Sequence, residues 1–215
     1  MNIHPWINYF TNQGVPQDTV ELLLVLPIVA TFIALVRQVI GIKAFGIYTP
    51  LLVIFAFLAT GIKYGAVVFI SVILVGMLMR LILRRLRLLY LPRVAITLTV
   101  VAFAMLAVLV VGGSFQRTGL AAVSIFPLLI MVIIVEKFIA AQIEKGNRTA
   151  ILLAVETLAI SVAGYYLASW EGLINSIVSY PWAVLLIIPF NVFLGKWTGL
   201  RLSEYWRFRE IIKKS

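Results

Sequence analysis

The sequence predicts an all-α integral membrane protein, a seven-helix bundle with its N-terminus outside the cell membrane and its C-terminus in the cytoplasm. Three observations predict it. Of 215 residues, 63% are apolar and only 12% are charged, against roughly 45–50% and 25% in soluble domains. A mean hydropathy of +1.09 leaves too little polar surface to cover a water-soluble globule. Apolar stretches of spanning length recur between short polar breaks, and none alternates with period two as a barrel strand would.

Seven apolar segments can be separated in order. The first runs from about Thr19 to Val36 and contains Pro27. The second is the uncharged stretch Ala44 to Ile62, bracketed by Lys43 and Lys63. The third spans about Tyr64 to Leu83, with Arg80 near its end, and the fourth runs from Val94 to Gly113 after Pro92. The fifth covers about Gly119 to Val135 and is expected to kink or break at Pro127. The sixth, Thr149 to Trp170, carries Glu156. The seventh runs from about Tyr180 to Gly195 around Pro189. Each span needs about 20 apolar residues, so the length suits a single bundle.

Orientation follows from the basic residues. With the N-terminus outside, the cytoplasmic set is Arg37, Lys43, Arg80, Arg84, Arg85, Arg87, Arg93, Lys137, Lys145, Arg148, Lys196, Arg201, Arg207, Arg209, Lys213 and Lys214, leaving only Lys63 and Arg117 outside. An excess of Lys and Arg marks the cytoplasmic side. The topology is therefore N-out and C-in, and dropping or adding a span would scramble the alternation. Residues 1–18 form a short extracytoplasmic tail with Trp6, Tyr9 and Phe10 suited to the membrane surface. They lack the basic start and apolar core of a cleavable signal. Residues 19–200 form the membrane domain, and 201–215 a basic, aromatic-rich amphipathic cytoplasmic tail.

Composition excludes several activities. Without cysteine, disulfides, thiolate nucleophiles and thiolate metal sites are ruled out. The only histidine, His4, has no partner, and metal-ligand spacings, nucleotide-binding glycine loops and catalytic triads are absent, so neither a metal nor a cofactor is expected. The net charge of +10 sits at span ends, where it meets lipid headgroups; no nucleic acid is implied. A retinal-type pump needs a lysine deep in a span, and Lys196 lies at the end of the last one. No enzyme is expected.

Three groups of residues could carry a function. Within Arg37 to Leu52, two cations (Arg37, Lys43), two glycines (Gly41, Gly46) and Pro50 separate two apolar runs. Glycine costs about 1 kcal/mol and proline about 3 in a helix interior, so a helix breaks there. Backbone N–H groups at the start of the second span, with Arg37 and Lys43, suit a carboxylate or phosphate; a plain turn with charged anchors is the alternative. Glu156 lies about seven residues, or roughly 10 Å, into the sixth span. Glu136 approaches the same depth across the hairpin near Gly146. Intramembrane acids mark proton or ion routes, or else form structural pairs, with Arg37 or Arg80 as available partners. Finally, Arg80, Arg84, Arg85, Arg87 and Arg93, expected on a continuation of the third helix, and Arg201 and Arg207 in the tail, suit lipid phosphates or an acidic partner. Gly61/Gly65 and Gly195/Gly199 have the spacing of close helix contacts.

GIKAFGIYTPLL (Gly41 to Leu52) matches GLAAVSIFPLL (Gly119 to Leu129) with one gap. One copy enters its span from the inside and the other from the outside. An inverted three-plus-three repeat with one additional helix, an arrangement found in secondary transporters, is one reading; chance likeness of apolar segments is the other.

The block R-x-x-x-G-I-K-x-F-G from Arg37, the segments LPRVAITLTVV and FPLLIMVIIVEK, and the block G-x-x-T-G-x-R-L-S-E ending at Glu204 resemble a bacterial family. It is the seven-transmembrane-helix domain usually fused to an inactive transglutaminase-like domain. The likeness runs from about Val20 to Glu210. In that family the soluble domain precedes the helices and faces the periplasm, in keeping with the N-out topology; here eighteen residues stand in its place. The resemblance implies residence in the bacterial inner membrane, a periplasmic transglutaminase-like partner and a cytoplasmic ATP-grasp ligase-like partner. A fainter similarity points to the membrane subunit of poly-gamma-glutamate synthesis and export. Together these imply a non-catalytic inner-membrane subunit that handles a glutamate-containing peptide or polymer. The alternatives are a secondary transporter of a small anionic solute with Glu156 as proton relay, and a structural anchor for a periplasmic partner.

Overall fold

A computed structural model describes residues 5–83, 85–86, 89–114 and 125–196. Every regular element among them is helical. α1 (Pro5–Asn12) precedes α2 (Gln17–Leu35), whose last turn widens into a π-helical turn, Val36–Ile40. α3 (Tyr48–Thr60) and α4 (Ile62–Leu83) follow, then α5 (Tyr90–Ser114), α6 (Ile125–Lys145) and α7 (Asn147–Ala168). α8 (Glu171–Ser179), a 3-10 turn (Pro181–Leu186) and α9 (Ile187–Gly195) are the last elements among the described residues.

The helices form two compact units, one of residues 1–43 with 166–215 and one of residues 44–165. In the second unit α3 packs on α4 and α6, and α4 also packs on α5 and α6. Its core joins Val53 and Phe57 of α3, Phe69 and Val72 of α4, Val101 of α5, Ile134 and Phe138 of α6, and Leu153 of α7. Lipid tails are as apolar as leucine, so close approach rather than water exclusion holds such helices together. Gly65 is buried where a side chain would collide with Phe57, and a methyl group on Gly76 would lie 3.4 Å from the Phe138 ring. Single left-handed glycines, Gly61 (φ 79°) and Gly146 (φ 84°), reverse the chain between α3 and α4 and between α6 and α7. These turns are tight because only glycine enters that region without a Cβ penalty.

In the first unit α2 packs on α1, α8, the 3-10 turn and α9. The Trp6 indole N–H donates to the Val178 carbonyl at 2.8 Å, satisfying one of the last carbonyls of α8. The Asn191 amide donates to the Thr31 hydroxyl at 2.7 Å, and that hydroxyl donates to the Pro27 carbonyl at 2.8 Å. Proline within α2 lacks the backbone N–H that would bond the Leu23 carbonyl one turn earlier.

Among the described residues, five helices are long and apolar enough to cross a membrane alone, and a sixth crossing arises if the pair Glu171–Ser179 and Pro181–Gly195, bent by 102°, counts as one. The expected seventh span, Tyr180 to Gly195, is helical from Pro181, the 3-10 turn running directly into α9. The separate helix α8 and the bend that follows it are unexpected. The expected second span, Ala44 to Ile62, is helical only from Tyr48, because Gly41, Ala44 and Gly46 all adopt positive φ. At 13 residues α3 is about 20 Å long, short of the ~30 Å hydrocarbon core.

Two smaller expectations also change. The third helix does not continue through the arginine-rich stretch: it ends at Leu83, and α5 restarts at Tyr90. Arg85 and Leu86 lie in the turn between them. Pro92 in the first turn of α5 suits a helix start, where its missing N–H has no intrahelical role. Pro127 likewise sits in the first turn of α6, so it neither kinks nor interrupts that helix.

Candidate functional site

The polar centre of the second unit is the break that precedes α3. Its backbone is not helical, so its N–H groups need other partners, and α7 supplies them from one face. The Ala44 N–H donates to the Glu156 carboxylate (Oε2) at 2.9 Å, and the Phe45 N–H donates to the Thr157 hydroxyl at 3.0 Å. The Thr157 hydroxyl in turn donates to the Leu153 carbonyl at 2.6 Å. One turn further, the Ser161 hydroxyl donates to the carbonyls of Thr157 at 2.7 Å and Pro50 at 3.3 Å. Thr157 and Ser161 are wholly buried. Phe45 seals the break from the other side, its ring meeting Phe138 of α6 edge-on at 6.4 Å.

This clasp fixes the register of α3. As the chain advances from Ala44 to Pro50, its partners on α7 advance from Glu156 to Ser161, so the two helices run in the same direction. The parity is the one the charge count assigns to the second and sixth segments. Glu156 is nine residues beyond Asn147, about 14 Å along α7. Non-helical backbone at such depth is tolerated only where protein or a cavity satisfies it. Ala44, at φ 43°, is the one non-glycine residue with positive φ among the described residues. Its left-handed conformation costs roughly 1–2 kcal/mol, and the charge-assisted hydrogen bond from its own N–H offsets that cost.

The residues proposed for an anion site fall in both units. Arg37 stands in the π-helical turn, half-buried, with its Nε buried and lacking a hydrogen-bond partner. Gly41 ends that turn in a left-handed conformation (φ 89°), its N–H donating to the Val36 carbonyl at 3.2 Å, and Lys43 is exposed. In the other unit, Gly46 (φ 83°) turns the chain into α3, and Pro50 is buried in the first turn. Two of the N–H groups an anion would use, those of Ala44 and Phe45, are already taken by Glu156 and Thr157.

Glu136 is half-buried on α6, nine residues before Lys145, and so matches the depth of Glu156 across the Gly146 turn. The half-buried Arg80 guanidinium donates to the Asn147 side-chain oxygen, tying the end of α4 to the start of α7. Arg93 is half-buried in the first turn of α5, where its carbonyl accepts from the Thr97 hydroxyl at 2.9 Å; Arg85 is exposed. Arg84, Arg87, Arg201 and Arg207 lie outside the described residues, as does His4. Among the described residues, no group of three or more acidic or histidine side chains is arranged to hold a metal.

Sequence reasoning passed over Ala44, Thr157, Ser161 and Gln142. The hydroxyls at 157 and 161, spaced i and i+4 beside an intramembrane acid, are a polar stripe that could have been noticed. Gln142 on α6 is wholly buried with neither side-chain atom hydrogen-bonded, and nothing in its apolar surroundings announces it.

The family described as seven transmembrane helices usually fused to an inactive transglutaminase matches residues 12–212. The chain belongs to that family. Its match takes in every crossing helix and the break before α3. No curated protein and no solved structure matches the chain.

Proposed function

We propose that this member of the seven-helix transglutaminase-associated family is the non-catalytic inner-membrane subunit of a complex that makes, modifies or exports a glutamate-containing peptide or polymer. Its partners are a periplasmic transglutaminase-like protein and a cytoplasmic ATP-grasp ligase-like protein, and membrane lipids surround it. The observation that carries the reading is the family match over residues 12–212, whose helices are usually joined to a transglutaminase that has lost activity. A membrane domain kept with an inactive enzyme fold suits binding and placement rather than turnover.

The clasp supports the same reading. Glu156, the acid that the transporter reading makes a proton relay, accepts a backbone hydrogen bond that holds the broken entry to α3. A proton relay must release and regain its proton without losing the fold around it, whereas this carboxylate is tied to a strained residue. The basic inner face set by the charge count suits a ligase that delivers an anionic product. Gentle affinity purification of the full chain from its native membrane, with identification of what stays bound, tests the proposal. Recovery of ligase-like and transglutaminase-like proteins is expected. Recovery of the chain alone under several mild detergents would overturn it.

A further inference from the structure

In the unit of residues 1–43 and 166–215, the elbow of the bent helix pair holds a cavity of about 210 Å³, lined by Ile28, Thr31, Ile177, Ala183, Val184 and Ile187. Ile28 and Thr31 fall at the middle of the 24-residue crossing Gln17–Ile40, so the cavity lies at the bilayer midplane whichever way the chain is oriented. Five of the six lining residues are aliphatic. The Thr31 hydroxyl is already used, donating to the Pro27 carbonyl and accepting from Asn191. Water needs two to four polar partners to occupy a cavity, and apolar cavities of comparable size stay dry and accept apolar guests. An anionic solute would fare worse, since the lining offers no charge and no unused donor.

We propose that this elbow is a lipid slot, holding the inner part of a phospholipid acyl chain between α2 and the broken span. At the midplane the surrounding solvent is hydrocarbon chain. The same span presents Leu185, Leu186 and Ile188 outward, each at least 60% exposed, so the slot is continuous with a lipid-facing surface. The chain fills the gap that the 102° bend leaves where a straight helix would have packed side chains. This site is independent of the complex proposed above.

Photolabelling of the full chain in phosphatidylethanolamine–phosphatidylglycerol vesicles containing a trace phosphatidylcholine with a mid-chain diazirine tests it. Label should concentrate on Ile28–Thr31 and Ala183–Ile187 relative to the exposed Val192 and Phe193, and Ala183→Phe should remove that excess. Equal labelling of both sets, or an excess that survives Ala183→Phe, would overturn the slot. Should Ala183→Phe fail to fold, Ala183→Cys in this cysteine-free chain gives a second reading. Resistance to a water-soluble maleimide is expected, and rapid modification would show a hydrated route instead.

Discussion

Glu156 is where the chemistry of the second unit concentrates, and its partner Ala44 explains why. A residue at φ 43° needs a reason to stay there, and a carboxylate accepting its N–H provides one. Hydrogen bonds to charged groups contribute about 1.5–3 kcal/mol. Glu156→Ala should therefore destabilise the purified protein by about that much, read as a lower thermal midpoint, and Glu156→Gln by less because its amide oxygen still accepts. A midpoint unchanged by Glu156→Ala would mean that the clasp holds nothing. Gly46→Ala should also destabilise, by roughly 1–2 kcal/mol, since φ 83° excludes a Cβ without strain. The sequence marked Glu156, Gly46 and Pro50 as special through residue type and depth. It did not reveal that Glu156 meets Ala44 or that Pro50 meets Ser161, because a contact across more than a hundred positions leaves no local pattern.

At the scale of elements, the long apolar helices were legible and the broken ones were not. α4, α5 and α7 fall close to their expected bounds because twenty apolar residues in lipid have little choice but to form a helix, whereas α6 runs ten residues past its expected end at Val135. α3 and the elbow before α9 depart from expectation for a different reason. Composition reports that a segment is apolar, but not that side chains elsewhere will satisfy a break in it. Thr157 and Ser161 do this for α3, and Trp6 does it for the end of α8. Proline position was similarly ambiguous: Pro127 reads as an interruption until the helix is seen to start beside it. The α3–α4 hairpin depends on Gly65, where an added methyl group would collide with the buried Phe57 ring and the Thr60 hydroxyl. Gly65→Ala should cost about 1–3 kcal/mol through overpacking. Retained thermal stability in that variant would show that α3 and α4 can separate without penalty.

For the whole molecule, the charge count makes a prediction about sidedness that the absence of cysteine makes easy to check. Lys63→Cys should react with an impermeant maleimide applied outside intact cells, and Lys145→Cys only after the membrane is opened. The reverse pattern would invert the topology and place the basic face toward the wrong partner. The break before α3 and the bend before α9 both resemble features of transporters, in which broken helices meet near the midplane. Here one break is closed by side chains of α7, and the bend holds an apolar cleft open to the surface. Both features suit a membrane subunit that positions other proteins. The most direct test is uptake of radiolabelled glutamate by the purified full chain in liposomes under an imposed pH gradient. No uptake above empty liposomes is predicted, for the wild type and for Glu156→Gln alike. Gradient-dependent uptake by the wild type that Glu156→Gln abolishes would contradict the account.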